Sequence, residues 1–165
     1  MLVSDLKNIH TLENLKLVAG ESGLGNPIKS VNIMDNPLAL DWLSAGELLL
    51  TSGYFFRESQ QQQNEFLIGL HQIGCPCLCI KPKQFLSKIP ENMIQIANEI
   101  GLPIFEIPYG LSFSKILVAV MNELGEKYDP ISKKSIEIHN EFFRISLNGS
   151  GLSSIGKKLS ELTGN

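Results

Sequence analysis

No stretch of this 165-residue chain is apolar for long enough to cross a bilayer as a helix. Its first residues, Met1-Leu2-Val3-Ser4-Asp5-Leu6-Lys7, lack the basic-then-apolar order of a secretory signal. The two absences lead to the expectation of a cytoplasmic protein with no membrane partner. Asn148-Gly149-Ser150 spells a glycosylation acceptor, but in a chain read as unexported it is a turn. Positive charge is also scarce: 14 Lys and Arg stand against 17 Asp and Glu, a formal net charge of −3. Nucleic-acid binding needs cations gathered on one face, and here they are scattered among carboxylates. Direct nucleic-acid contact by this chain is not expected.

Cysteine is limited to three residues, all in Cys75-Pro76-Cys77-Leu78-Cys79. An odd, clustered count in an unexported chain excludes a disulfide framework. Alternation along a strand would put the three thiols on one face as small buried residues. A structural zinc site wants four ligands, and no other Cys or His cluster supplies the fourth. His10, His71 and His139 have neither metal nor triad spacing. Gly20-Glu21-Ser22-Gly23-Leu24-Gly25 is glycine-rich after a strand, but Pro27 and a strand-like segment follow where a phosphate cradle needs a helix. It reads as a turn. A nucleophile elbow of the Gly-x-Ser-x-Gly type is missing. Glu47 and Glu106 could in principle serve as general acid and base, yet nothing orients either. Glu106 sits inside an apolar strand, so a backbone N–H or Lys81 is the expected partner of its carboxylate. The expectation is a protein with no catalytic residues, no metal and no cofactor.

What the chain does have is a core. It is 43% hydrophobic and 19% charged, which suits one folded domain plus an appendage. A short helix is expected near 3–7 and strands over 15–20 and 28–34, the two strands pairing antiparallel across the turn at 21–27. A short helix follows over 37–43, with Pro37 in its first turn. Short apolar runs at 47–51, 77–80 and 103–107 then alternate with amphipathic helices over 59–73, 90–100 and from 111 onward. Gly74 and Gly101 stop the first two helices. The stripes are Phe66, Leu67, Leu70 and Ile73, then Met93, Ile96, Ala97 and Ile100, then Phe113, Ile116, Leu117, Val120 and Leu124. Alternation of this kind predicts an α/β fold: a mostly parallel sheet flanked by helices in three layers, with the N-terminal antiparallel pair and a C-terminal helical extension. Leu48-Leu49-Leu50 is a continuous aliphatic run because a central parallel strand is covered on both faces.

Each such strand ends in a polar or proline-bearing break: Thr51-Ser52-Gly53, Lys81-Pro82 and Pro108-Tyr109-Gly110. Ligands of open α/β sheets gather beyond those carboxyl ends, although every βα unit needs a polar loop there in any case. Asp129-Pro130 then starts a helix reaching about residue 147, with Ile131, Ile138 and Ile145 at seven-residue spacing and Ser135 and Phe142 between them. This short seam either pairs two chains or docks on its own domain. After Asn148-Gly149-Ser150-Gly151, Leu152, Ile155, Leu159 and Leu162 form one more apolar stripe, which suggests the start of a following domain cut short.

Several segments together resemble the N-terminal domain of PucR-type transcription regulators, named for purine catabolism. They are Val31-Asn32-Ile33-Met34-Asp35, Trp42-Leu43, Gly46-Glu47-Leu48-Leu49-Leu50-Thr51-Ser52-Gly53, Ile89-Pro90 and Gly101-Leu102-Pro103-Ile104-Phe105-Glu106-Ile107-Pro108. At the level of fold, the same order of elements is similar to the N-terminal domains of Mur ligases and of HPr kinase. The PucR resemblance implies a regulatory domain over residues 1–125, a linker or dimerisation helix over 126–148, and the start of a following domain over 149–165. It also implies a DNA-reading helix-turn-helix further along, of which this chain holds no part.

Two functions compete on this basis. One is a small-molecule sensor for a purine or related metabolite, held by Asp35, Asn36, Thr51, Ser52, Gly53 and Lys81 at a mouth formed by residues 51–54, 81–82 and 108–110. The other is a protein-interaction module without its own ligand, homodimeric through Ile131, Ile138, Phe142 and Ile145. Dimerisation is an expected companion of the sensor as well.

Overall fold

The computed structural model describes residues 1–36 and 38–127. The expected seam of Ile131, Ile138, Phe142 and Ile145 and the segment 149–165 lie outside the described residues. Met1–Leu124 form one compact unit. Its centre is a five-stranded sheet of β1 (Lys16–Ala19), β2 (Ser30–Ile33), β3 (Glu47–Thr51), β4 (Leu78–Ile80) and β5 (Ile104–Glu106). Their spatial order is β1-β5-β4-β3-β2. The pairs β2–β3, β3–β4 and β4–β5 are parallel, with Leu49 opposite Leu78 and Leu78 opposite Ile104. The helices are α1 (Ala39–Trp42), α2 (Gln60–Ile73), α3 (Glu91–Ile100) and α4 (Phe113–Lys127).

The leucine run divides between two cores. Leu49, Leu78, Ile80 and Ile104 face Phe66, Leu67 and Leu70 of α2 and Met93 and Ala97 of α3. Leu48, Leu50, Cys79, Phe105 and Ile107 face Ile116, Val120 and Leu124 of α4 and the N-terminal Val3, Leu6, Leu12 and Leu15. Three layers result. Each fully buried leucine contributes about 1.5–3 kcal/mol of transfer free energy, so both coverings are needed to hold the sheet. The helices end where glycine permits a left-handed turn: Gly74 has φ 82° and Gly101 φ 68°. Ser59 caps α2, its Oγ accepting from Gln62 N at 3.2 Å. The expected helix at the N-terminus is a 3-10 turn, Val3–Asn8.

The antiparallel pair is present, but its members differ from expectation. β1 pairs with β5, not with β2. β1 and β2 lie at opposite edges of the sheet. The glycine-rich segment between them is therefore not a hairpin turn but a traverse along the amino ends of the strands. Gly23 lies against the Gly101 carbonyl, Asn26 Nδ2 donates to Pro76 O at 3.2 Å, and Lys29 N donates to Gly46 O at 2.8 Å. Those contacts touch the entries to β5, β4 and β3 in turn and deliver β2 parallel to β3. Two strand-like segments joined by a glycine-rich turn look like a hairpin in sequence because neighbouring strands commonly pair; here the long-range contacts of the turn decide otherwise.

β1 reaches β5 through a close backbone approach at Gly20, whose φ is 73°. A Cβ there would lie 2.1 Å from the Leu102 carbonyl oxygen. Gly20→Ala is expected to lower the urea midpoint by the equivalent of about 2 kcal/mol or more, combining positive-φ strain with a backbone clash. Gly25→Ala, where added carbon meets nothing within 4 Å, should leave the midpoint nearly unchanged. Equal midpoints for the two variants would contradict this account of the β1–β5 junction.

Candidate functional site

Because β2 through β5 run parallel, their carboxyl ends share one edge of the sheet. The expected site residues are on that edge, where the side chain of Lys81 bonds apart from those of Asp35, Thr51 and Ser52. Asp35, just past β2, accepts three hydrogen bonds on Oδ1: from Thr51 Oγ1 at 2.7 Å, from Ser52 N at 2.8 Å and from Ser52 Oγ at 2.8 Å. Gly53 N in turn donates to Thr51 Oγ1 at 3.2 Å, and Tyr54 N to Ser52 Oγ at 3.3 Å. The two hydroxyls after the leucines thus receive the chain as it leaves the buried sheet. Gly53, at φ 77°, turns it where a Cβ would come within 2.8 Å of Leu86. Thr51 and Ser52 are buried, and Asp35 is exposed. Asn36 Oδ1 accepts from Leu38 N at 2.9 Å, turning the chain toward α1.

Lys81 belongs to the other half of the edge. Its backbone N–H bonds Thr51 O at 3.0 Å, which ties β4 to β3. Its Nζ instead donates to Leu111 O at 2.8 Å and lies 5.8 Å from the centre of the Tyr109 ring. Lys83 Nζ is 6.0 Å from the same ring. Tyr54 and Phe85 meet edge to face at 4.9 Å, and Arg57 stacks on Tyr54 with Cζ 3.9 Å from the ring centre. Arg57, Lys83 and Phe85 escaped the sequence reading. All three lie within a few residues of strand ends, beside polar breaks that had been recognised.

At the tip of β2, Ile33, Met34, Asp35, Asn36, Leu38 and Trp42 line a cleft of about 280 Å³. Trp42 is 72% exposed and Leu38 54% exposed. Asp35 and Asn36 are the polar lining of this cleft; Thr51, Ser52, Gly53 and Lys81 do not line it.

Glu47 and Glu106 are not brought together. Glu47 opens β3 at the amino edge, where its Oε2 accepts from Asn32 Nδ2 at 3.3 Å and Ser44 N at 3.0 Å. Glu106 closes β5 at the opposite edge. With Leu49, Leu78 and Ile104 in register, the two stand four residues apart along the sheet, roughly 13 Å at 3.3 Å per residue. Among the described residues no ion pair joins Lys81 to Glu106; the half-buried position of Glu106 at a strand end leaves the carboxylate in reach of water.

The three cysteines are free and buried, as expected of small core residues. They do not share one face, because β4 begins only at Leu78. Cys77 and Cys79 join the core under α4, and Cys75, ahead of the strand, joins the core under α2. Among the described residues no group of three or more His, Cys, Asp or Glu could hold a metal. Burial pushes the Cys75 thiol up to about 12, against hydrogen bonding to backbone that pulls it the other way. Cys77 is likewise raised by burial, with Cys79 adding to the effect.

The fold and this edge define a class: a doubly covered α/β domain whose loops beyond the parallel strands carry its polar and aromatic chemistry. The chain belongs to the purine catabolism regulatory protein-like (PucR) family, whose model matches residues 5–124. It is 31% identical over 162 residues to the purine catabolism regulatory protein of Bacillus subtilis (strain 168), covering 98% of this chain and 30% of that protein. It is 26% identical over 155 residues to the HPr kinase/phosphorylase of Brevibacillus brevis, covering 87% of this chain and 47% of that protein. The chain thus spans less than half the length of these curated relatives. No helix among the described residues is long and apolar enough to cross a membrane.

Removing the Asp35 carboxylate strips three hydrogen bonds from the end of β3. Asp35→Ala is expected to destabilise the fold by about 1–3 kcal/mol in urea unfolding. Thr51→Val and Ser52→Ala should each cost about 1 kcal/mol, and each should cost less in the Asp35→Ala background. Full additivity would show that the three groups do not act as one network. For Cys75, the folded protein keeps a proton that the unfolded chain loses first, so stability is intact below pH of about 9 and falls as pH rises toward about 12. Cys75→Ala should make that alkaline decline shallower in pH-dependent urea unfolding; an unchanged slope would refute the assignment.

Proposed function

We propose that this chain is the N-terminal regulatory, small-molecule-sensing domain of a PucR-type transcription regulator. The expected ligand is a purine or related metabolite, and DNA binding belongs to a C-terminal helix-turn-helix beyond this chain. The observation that carries the reading is the common edge of four parallel strands, where Asp35, Asn36, Thr51, Ser52, Gly53 and Lys81 all lie. Family membership and the name of the Bacillus subtilis relative support the metabolite class. In this reading the Asp35–Thr51–Ser52 knot shapes the edge, and the loops after β4 and β5 meet the ligand. The domain works in the cytoplasm, catalyses no reaction and needs no cofactor. A ligand acts by favouring one of two arrangements of the regulator.

A second reading has its own observation. Ile33, Leu38 and Trp42 are exposed together beside β2, which is an edge strand. Apolar side chains next to an open strand edge favour a protein-interaction module, with a homodimer as its simplest form.

One experiment separates the readings. Calorimetric titration of the 165-residue chain with purines and ureides is expected to give saturable heat with at least one compound, and sedimentation of the same sample reports whether it is a dimer. A folded protein that binds no member of a broad metabolite panel but sediments as a dimer would leave the interaction module standing and remove the sensor.

A further inference from the structure

The half of the carboxyl edge formed by β4 and β5 differs in chemistry from the half formed by β2 and β3. Asp35 Oδ1 accepts three hydrogen bonds from within the protein. Lys81 is met by fewer. Its half-buried ammonium is held by one backbone carbonyl, that of Leu111, at 2.8 Å. Neither the Arg57–Glu58 ion pair nor the His10–Glu13 contact involves Lys81 or Lys83. Two like charges are nevertheless held close to one ring, with Nζ atoms 5.8 and 6.0 Å from the centre of Tyr109. Tyr109 itself is 71% exposed, so the ring offers area to an incoming group. Elsewhere on the edge Tyr54 and Phe85 are also exposed and meet edge to face, with Arg57 over Tyr54.

We propose that Lys81, Lys83 and Tyr109 form the binding site for a planar anionic heterocycle, its charge taken by the two ammonium groups and its ring lying against Tyr109. The inference rests on the sensor reading and adds the charge and shape of the ligand. The partly desolvated Lys81 is the stronger contact, because a lysine held away from bulk water gains more from an anion than an exposed one. The aromatic ring selects a flat ligand over a compact oxyanion. The same arrangement disfavours cations and gives neutral purines only the stacking part of the interaction.

The test is calorimetric titration of the 165-residue chain with urate, which is a monoanion at neutral pH, with hypoxanthine, which is neutral, and with inorganic phosphate, which has no ring. Urate is expected to bind about tenfold or more tighter than hypoxanthine, in keeping with a hydrogen bond to a charged group. Its affinity should fall as sodium chloride is raised, and phosphate should bind far more weakly. Lys83→Ala and Tyr109→Ala, both at exposed positions, should each weaken urate about tenfold while leaving the thermal midpoint in place. Lys81→Gln should weaken it at least as much. Hypoxanthine binding as tightly as urate, or urate binding untouched by all three substitutions, would overturn this site while leaving a metabolite sensor that uses another surface. Failure of urate to bind overturns the site as well; the sensor itself falls only with the broad panel.

Discussion

Covering the sheet on both faces is the constraint from which the rest follows. Leu48 and Leu50 point into one core and Leu49 into the other, all three fully buried. A strand of this kind has no polar face to spare, so polar side chains are driven to its ends. Among the described residues, every buried side-chain nitrogen or oxygen finds a hydrogen-bond partner. Thr51 and Ser52 show how: each hydroxyl both donates to Asp35 and accepts a backbone N–H two residues further on. The chain leaves the sheet without stranding a buried polar group, and the strand stops where that exit is made.

The same requirement splits the carboxyl edge into two kinds of surface. Between β2 and β3 three donors converge on one oxygen of Asp35, which ties the two strand ends together. Beyond β4 and β5 the loop 107–112 passes over Lys81, and its backbone supplies a carbonyl where a carboxylate would have ended the matter. A carbonyl satisfies one of the three ammonium donors and cancels none of the charge. The uncancelled charge of Lys81 is thus a product of how the β5–α4 loop is laid down, and not of any excess of basic residues in a chain whose net charge is −3.

Elements whose logic is local were legible in the sequence. α2 and α3 announce themselves through apolar stripes closed by Gly74 and Gly101, and β3, β4 and β5 through aliphatic runs between those helices. What was not legible depends on contacts between residues distant in sequence. The partner of β1 is set by Gly20 fitting against Leu102, more than eighty residues away, and by Asn26 reaching Pro76. Nothing in the composition of the turn distinguishes a hairpin from a traverse. The position of the site residues at the strand ends was likewise readable, whereas their roles were not. Asp35 bonds Thr51 and Ser52 while Lys81 bonds Leu111, a division that no spacing in the sequence reveals. Cys75 was misplaced because alternation holds only within a strand, and β4 starts three residues later.

The Lys81–Leu111 hydrogen bond also joins the mouth to the helix that follows it. Ser112, the next residue, supports the first turn of α4: its Oγ accepts from Lys115 N at 3.3 Å and its carbonyl from Ile116 N at 3.3 Å. Ile116, Val120 and Leu124 then anchor α4 on the buried core. A ligand can shift a two-state equilibrium only through groups it contacts differently in the two states. An anion that draws the Lys81 ammonium away from Leu111 removes the acceptor's partner at the start of α4, while one that leaves the bond intact reinforces it. Because the apolar anchoring of α4 is extensive and the side-chain link from Lys81 to its start is a single hydrogen bond, the loop 107–112 is where such a difference would be least costly to express. The core fixes the helix, and a ligand at the proposed site would act on the short connection that leads into it.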